Sequence, residues 1–414
     1  GYVAAIQADG YPPGLMVAVA TPDRAFVKAY GLADAETGAP ATADTLFRIA
    51  SVSKTFVWVS VMMLVDEGRL DLGADVNSYL KIVRIPESFG RPVTMNDLMA
   101  HRAGFEDTLG DFFESRSGRS FEEALVNQTP KRVAPPGERT SYSNWGTDLA
   151  AQIVADVSGV PYDDFVRTRI LEPLGMSSTV MRDPVSAFGK AQNDPALDAR
   201  TASPHKLDAG AAAVMGHDAV DPLNAAGAMS MRAKDAARWI RFFLNEGAAG
   251  EARLLSPEAF ALMRRRNFSD RPEAPDFAHG FMEAEIAGHK VYGHGGTLTG
   301  FISDLTIAPG LRIGVFVSVN GAEAGVRTPD LLSRAIMEQV AGASSYASKW
   351  DGGGEDAKAA AEEVAGTYLG ARRVQSKFER IASVGGDISV AAREDGSLAV
   401  SSGAVTRRYY PLTK

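Results

Sequence analysis

Ser51 and Lys54 have a spacing that could support nucleophilic catalysis. They stand three positions apart in Ser51-Val52-Ser53-Lys54, so the start of a helix would place both side chains on one face, about one turn apart. An amine there can take the hydroxyl proton that serine must lose to become a good nucleophile, and the helix dipole favours the alkoxide. Taken alone, the pair is equally compatible with a helix N-cap and a solvated lysine.

The sequence contains a second Ser-x-x-Lys pattern, Ser203-Pro204-His205-Lys206. It lies in a stretch rich in Pro, Ala and Asp, and no apolar helix follows it. A rigid helical frame for the two side chains is therefore not expected, and the pattern predicts no catalytic role.

Tyr142-Ser143-Asn144 is the second group with chemical potential. It follows Pro135-Pro136-Gly137 and precedes a helical pattern, so we expect it on a loop at the start of a helix. A tyrosine beside an ammonium can relay a proton between serine and a leaving group, and an asparagine amide can orient a lysine and a substrate carbonyl. The alternative is an interfacial tyrosine followed by an N-capping asparagine.

His294-Gly295-Gly296-Thr297 is the third group and follows a predicted strand over His289–Gly293. Paired glycines let a ligand approach the backbone closely. The backbone N–H groups of Thr297 and Ser51 would then form an oxyanion hole for the charge that develops on a carbonyl oxygen. By itself, the pattern is also compatible with a turn that carries a solvated imidazole.

Composition narrows the functional classes. The 414 residues are 45% hydrophobic and 23% charged, which is typical of a soluble globular protein of two or three domains. The net charge is −8 and no basic stripe is present, so a nucleic-acid partner is not expected. The sequence has no Cys, no His-Glu-x-x-His and six scattered His residues, so it predicts neither a metal nor another cofactor. A Gly-x-Ser-x-Gly nucleophile turn is also missing.

Hydrophobic patterning predicts the elements that must position these groups. Apolar runs at Leu15–Ala20 and Ala25–Tyr30 flank a turn and predict an antiparallel hairpin, and a helix is expected from Ser51 to about Gly68. Helical patterns dominate the middle of the chain, at 94–101, 121–127, 144–158, 162–172, 232–246 and 256–266. Strand patterns return later and a helix follows them, at 289–293, 300–308, 312–319 and 328–341.

These elements predict an α/β fold in which an antiparallel sheet is flanked by helices and accompanied by a mostly helical subdomain. The α/β part would comprise about 1–71 and 266–343, and the helical part about 72–265. Residues 344–358, which include three consecutive glycines, have the composition of a linker. Alternating segments at Ile388–Ala392 and Ser397–Val400 predict a small β-rich C-terminal domain over 359–414.

The three motifs, in this order and spacing, resemble the class C β-lactamase and D-Ala-D-Ala carboxypeptidase family, peptidase S12. Ninety-one positions separate Ser51 from Tyr142 and 152 separate Tyr142 from His294. The resemblance covers about residues 10–342. Three further stretches resemble the same family: Leu98-Met99-Ala100-His101-Arg102-Ala103-Gly104, Leu171-Glu172-Pro173-Leu174-Gly175-Met176 and Ala225-Ala226-Gly227-Ala228-Met229-Ser230.

The resemblance implies a β-lactamase/transpeptidase-like fold and assigns roles by position. Ser51 would be the nucleophile and Lys54 with Tyr142 the base pair. The substrate-binding residues that it implies are Asn144, His294, Gly296 and Thr297.

Two departures from the family pattern bear on the substrate. His294-Gly295-Gly296 stands where β-lactamases usually have Lys-Thr-Gly, and this form resembles the esterases and peptidases of the family. Arg102 replaces a small hydroxyl residue that is common there. We therefore expect a peptidase that hydrolyses amide bonds of small or linear peptides. The alternatives are a carboxylesterase, a β-lactamase and a non-catalytic penicillin-binding sensor, so the expected partner is a small peptide, amide or ester.

The C-terminal tail adds an expectation about location. Gly366-Thr367-Tyr368 and Asp395-Gly396-Ser397-Leu398 resemble an appended domain of family members that continue into membrane helices. This resemblance implies a periplasmic or otherwise extracytoplasmic enzyme with a membrane anchor beyond the C-terminus.

Overall fold

The computed structural model describes most of the chain. The described residues are 12–106, 119–183, 193–208, 211–217, 219–250, 252–268, 277–321, 328–342, 354–368, 388–402 and 405–409.

Strands and helices follow one another in the order that the hydrophobic patterns indicate. The strands are β1 (Gly14–Ala20), β2 (Ala25–Asp34), β3 (Ala39–Pro40), β4 (Phe47–Arg48), β5 (His205–Asp208), β6 (Ala211–Val214), β7 (Ser230–Met231), β8 (Ala248–Ala249), β9 (Ala252–Arg253), β10 (Phe277–Ala278), β11 (Phe281–Ile286), β12 (His289–Leu298), β13 (Phe301–Ala308), β14 (Ile313–Val319), β15 (Gly366–Tyr368), β16 (Ile388–Ala392), β17 (Leu398–Ser402) and β18 (Val405–Tyr409). The helices are α1 (Lys54–Asp66), α2 (Met95–Met99), α3 (Phe121–Asn127), α4 (Asn144–Ser158), α5 (Tyr162–Val166), α6 (Pro195–Asp198), α7 (Ala233–Leu244), α8 (Pro257–Met263), α9 (Thr328–Val340) and α10 (Gly354–Glu363).

The main sheet joins the two ends of the predicted α/β part. Its strand order is β10-β11-β12-β13-β14-β1-β2-β3, and neighbouring strands are antiparallel. The hairpin β1–β2 forms as predicted. β1 pairs with β14, with Val17 opposite Val317, so residues 300 positions apart in the chain share one ladder. The predicted discontinuous antiparallel sheet is confirmed.

Both faces of this sheet are buried at its centre, along β14 and β1. Along β1, Met16 and Ala18 belong to the large core beneath α1 and α7, whereas Leu15 and Val17 belong to a second core beneath α9. Successive side chains of a strand point to opposite faces, so an unbroken apolar strand needs cover on both sides. The sheet is therefore a rigid central layer between helices.

Helix α1 runs through the interior and carries the first motif. All its residues from Lys54 to Leu64 are buried. A helix that is buried on all sides needs apolar residues on all its faces, which accounts for the long apolar run in the sequence. Trp58 packs directly on Gly280, where an added Cβ would lie 2.1 Å from the indole Cδ1. The helix begins three residues later than predicted, since Ala50–Ser53 forms a 3₁₀ turn.

The edge of the sheet next to the third motif differs from the prediction. β12 does not end at Gly293 but continues to Leu298, so the His-Gly-Gly motif lies within a strand. It continues because Gly295 and Gly296 pair with Asp304 and Ser303 of β13. β10 and β11 were not predicted. β11 contains two glutamates in six residues, and its pairing with β12 stabilises a sequence with weak strand propensity.

Helix α7 packs against the main sheet, although the sequence assigned its residues to the helical part. Ile240 lies on Gly314 of β14, where an added Cβ would approach Ile240 Cγ2 to 2.3 Å. Its amphipathic pattern is typical of any surface helix and does not distinguish the sheet from a helical neighbour.

The C-terminal tail contains a four-stranded antiparallel sheet in the order β15-β16-β17-β18, so its predicted β-rich character is confirmed. The predicted linker, 344–358, is wrong from residue 354 onward, because α10 begins there. Its Ala-, Glu- and Lys-rich sequence has high helix propensity that outweighs the preceding glycines. Residues 344–353 lie outside the described residues. Within the described part of the chain, no helix combines the length and hydrophobicity required to cross a membrane.

Candidate active site

Ser51 lies in the 3₁₀ turn that leads into α1, and the turn is held from outside. Ala50 adopts φ +49°, a left-handed conformation that costs a residue with a side chain about 1–3 kcal/mol. The carbonyl of Ile49 accepts a hydrogen bond from Ser303 Oγ at 2.8 Å. The N–H of Ile49 donates to the carbonyl of Met229 at 2.9 Å. A residue of β13 and the residue that precedes β7 thus fix the strained backbone that presents Ser51.

Gly296 brings β12 into contact with this turn. An added Cβ at Gly296 would lie 2.4 Å from the carbonyl oxygen of Ile49 and 3.0 Å from Ala50 Cβ. An added Cβ at Gly295 would lie 3.9 Å from its nearest neighbour, the carbonyl oxygen of Ser303. The sequence predicted that the glycines admit a ligand; the structure shows in addition that Gly296 admits the turn carrying Ser51.

Lys54 points back from the first turn of α1 towards Ser51. Its Nζ donates to Ser51 Oγ at 3.1 Å and to the carbonyl of Ala226 at 2.7 Å. The side chain is fully buried. Water therefore does not compete for the amine, and the predicted contact between the first two residues is present.

Tyr142 lies beside Lys54. The lysine Nζ is 5.0 Å from the centroid of the Tyr142 ring. The ring packs against His101, with centroids 4.3 Å apart, and its centroid is 6.1 Å from that of His294. His101 Nδ1 also accepts the backbone N–H of Ser143 at 3.2 Å. The first, second and third motifs therefore meet at one place.

Arg102 supports the loop that leads to Tyr142. Its Nε donates to Thr140 Oγ1 at 3.3 Å and its Nη1 to the carbonyl of Gly137 at 3.1 Å. The guanidinium also lies 4.7 Å from the centroid of the Phe268 ring. This residue, whose consequence the sequence left open, links the loop to a neighbouring segment.

Asn144 is the first residue of α4 but not its N-cap. Ser143 caps the helix, since its Oγ accepts the N–H of Gly146 at 3.0 Å. Asn144 Oδ1 is buried and has no hydrogen-bond partner among the described residues. A buried amide oxygen without a partner is costly unless a ligand completes it. The structural alternative for Asn144, a helix cap, is thereby removed.

His294 is buried in β12 and is neutral at physiological pH. Its Nδ1 donates to the carbonyl of Gly295 at 2.6 Å, and its Nε2 is buried without a partner in the described structure. Burial, and next the positive charge of Lys54, lower the pKa of His294 to about 3. The residue therefore offers an imidazole nitrogen rather than a cation. Thr297, three residues further along β12, is exposed, and its role in an oxyanion hole remains a prediction.

Asp148 is the main site residue that the sequence reasoning missed. It follows Asn144 by one turn on the same face of α4, and it is fully buried. Its Oδ1 accepts the N–H of Ala226 at 3.0 Å. Burial raises the pKa of Asp148 to about 7, although the charge of Lys54 and the N–H groups of Ala226 and Ala225 lower it. An aspartate followed by the apolar run Leu149-Ala150-Ala151 was the available signal.

The second Ser-x-x-Lys pattern has no catalytic geometry. Ser203 Oγ donates to Asp34 Oδ2 at 2.5 Å, and Lys206 Nζ lies 3.5 Å from Asp208 Oδ2 on the surface. Its serine and lysine thus have different partners. As for metals, no three His, Asp or Glu side chains of the described residues converge as ligands.

Comparison with known proteins places this site in a family. The family profile described as Beta-lactamase matches residues 2–336. Penicillin-binding protein 4 of Amycolatopsis lactamdurans is 26% identical over 361 residues, covering 82% of this chain and 88% of that protein. Protein Rv1367c of Mycobacterium tuberculosis is 28% identical over 277 residues, covering 61% and 67%.

Solved structures share the fold. The octameric penicillin-binding protein homologue of Pyrococcus abyssi has a TM-score of 0.69 at 21% identity, covering 98% of this chain and 88% of that one. D-amino acid amidase of Ochrobactrum anthropi SV3 has a TM-score of 0.62 at 23% identity, covering 79% and 91%. Because the family profile extends across the hairpin, α1, the tyrosine loop and β12, the chain belongs to the β-lactamase family of serine hydrolases.

Proposed function

We propose that the protein is a peptidase that hydrolyses amide bonds of small or linear peptides through an acyl-enzyme at Ser51. The observation that carries the proposal is the 3.1 Å hydrogen bond between the buried Lys54 Nζ and the partly exposed Ser51 Oγ. A serine becomes a strong nucleophile where a neighbouring base can take its proton.

The proposal assigns a group of the site to each step of the reaction. Lys54, assisted by Tyr142, accepts the Ser51 proton as Oγ attacks the substrate carbonyl. The backbone N–H groups of Ser51 and Thr297 stabilise the oxyanion. The proton then passes to the leaving amine, which departs as the acyl-enzyme forms. Water attacks the ester by the same route and releases the acid and free Ser51.

The neutral state of His294 disfavours substrates that are bound through a carboxylate, as β-lactams are. A lysine at this position would offer a positive charge to the carboxylate that β-lactams carry. His294 offers none, because burial keeps its pKa at about 3. Two proteins of similar structure are named D-amino acid amidase and D-stereospecific amidohydrolase, and their names support amide hydrolysis as the reaction proposed here.

The proposal predicts covalent labelling at Ser51. A fluorophosphonate should modify this serine alone, with the adduct mapped by mass spectrometry. Ser51→Ala should abolish the adduct, whereas Ser203→Ala, the matched serine of the second pattern, should leave it unchanged. Labelling that persists in Ser51→Ala would exclude Ser51 as the nucleophile.

A substrate panel tests the acyl donor. Short linear peptides, D-amino-acid amides, p-nitrophenyl esters and nitrocefin are compared by kcat/KM on one preparation. Turnover of peptides or amides supports the proposal. Ester turnover without amide turnover would instead indicate a carboxylesterase, and preferred hydrolysis of nitrocefin a β-lactamase.

A further inference from the structure

Asp148 and Lys54 are linked through one residue, Ala226. Lys54 Nζ donates to the carbonyl of Ala226, and the N–H of the same Ala226 donates to Asp148 Oδ1. The distances are 2.7 and 3.0 Å. Asp148 and the proposed base Lys54 thus bind the N–H and the carbonyl of the same residue. A shift of Asp148 would therefore move Ala226 and, with it, the lysine.

The carboxyl group of Asp148 is incompletely satisfied. Its Oδ2 is buried and has no hydrogen-bond partner among the described residues. An ionised carboxylate in this setting is costly, and burial accordingly raises the pKa of Asp148 to about 7. A structural role in holding Ala226 would be fulfilled equally well by a neutral amide, which suggests that the charge of Asp148 has its own use.

Lys54 is the positive charge that acts on Asp148. From α5, the buried Tyr162 faces Asp148. Burial and the negative charges of Asp163 and Asp148 raise the pKa of Tyr162. From β12, His294 faces Lys54 as a neutral imidazole.

The other helices packed on α4 bring carboxylates that already have partners. Asp97 of α2 accepts hydrogen bonds from Arg91 and from the Thr94 N–H. Glu122 of α3 accepts one from Gln152.

We propose that Asp148 is a positioning residue that sets the pH at which Lys54 becomes a base for Ser51. This inference rests on the proposed acyl-enzyme mechanism. With Asp148 ionised, the neighbouring negative charge stabilises the lysine ammonium; with Asp148 protonated, the lysine releases its proton more easily. The pair titrates as a unit, so the charge of the acid determines how much neutral amine faces Ser51 at a given pH.

Asp148→Asn tests the charge alone, because the amide keeps an acceptor for the Ala226 N–H. The readout is the rate of fluorophosphonate labelling of Ser51 from pH 5 to 10, which does not depend on the substrate. We expect the rising limb to move by about one unit to lower pH. Where this limb lies above pH 7, with the wild-type carboxyl ionised, the variant would then react up to about tenfold faster, relative to its own plateau, than the wild type.

Tyr162→Phe is the matched control. It removes a buried hydroxyl that has no partner in the described structure and changes no nearby charge, so the rising limb should stay in place. Asp148→Ala provides a second neutral variant should the asparagine fail to fold. Its limb should move in the same direction, and its plateau should fall as well because Ala226 loses its acceptor.

The outcomes separate the two proposals. A rising limb that stays in place in both neutral variants, with rates reduced equally at every pH, would show that Asp148 is only structural and leave the acyl-enzyme intact. No labelling of Ser51 in the wild type would instead overturn the acyl-enzyme and the role of Asp148 together.

Discussion

Lys54 is a charged residue of the site that is fully shielded from solvent. It is a fully buried amine that contacts Ser51 Oγ and the Ala226 carbonyl and lies against the Tyr142 ring. Burial in this form restricts the ammonium to one place, so the chemistry depends on a few short contacts. The contacts with Ser51 Oγ and the Tyr142 ring can each be removed by a single substitution.

Lys54→Ala and Tyr142→Phe should each lower kcat by about 10²–10⁴-fold and change KM little, because proton transfer occurs in the transition state. Steady-state kinetics on the best substrate of the panel measures this. The control is Lys206→Ala, which removes the exposed lysine of the second pattern and should preserve kcat. Turnover near the wild-type value in both active-site variants would place the base elsewhere.

The contact between β12 and the Ser51 turn is the element-level feature on which the site depends. The sequence predicted a strand over His289–Gly293, but it ended the strand at the glycines. It could not reveal that Gly296 meets Ile49, because that contact joins residues 247 positions apart. Asp148 was missed for the same reason, because its contact with Ala226 joins residues 78 positions apart in the chain. Patterns with short periods, such as β1–β2, α1 and α4, were predicted well from the sequence.

Gly296→Ala should destabilise the protein by about 1–3 kcal/mol, because its methyl group would overlap the Ile49 carbonyl. Denaturant unfolding measures the difference. Gly295→Ala is the neighbouring control: its methyl group meets nothing closer than 3.9 Å, so the change should stay within about 0.5 kcal/mol. Equal stability of both variants would show that β12 moves freely relative to the turn.

Acid stability is a property of the whole molecule in which two buried histidines take part. Burial lowers the pKa of His279 to about 4 and that of His294 to about 3. Both stay neutral in the fold at a pH where the unfolded chain, with an ordinary pKa of about 6.5, takes up protons. Their contribution to stability is present above about pH 6.5 and is lost as the pH falls towards these lowered values.

His279→Asn should therefore lose less stability than the wild type between pH 7 and pH 5, by about 2 kcal/mol. Urea unfolding at several pH values gives the two curves. The carboxylates titrate alike in both proteins, so their effect cancels in the difference. Parallel curves for wild type and variant would mean that His279 is protonated in the folded protein.

The pairing of β1 with β14 has a consequence for biosynthesis. Ser51 is translated before Ala226, His294 and Ser303, which hold or complete its surroundings. The ladder that closes the sheet requires Val317 and its neighbours. The nascent chain thus carries a serine without its frame until most of the catalytic domain has been translated, and hydrolytic activity arises only when that domain is nearly complete.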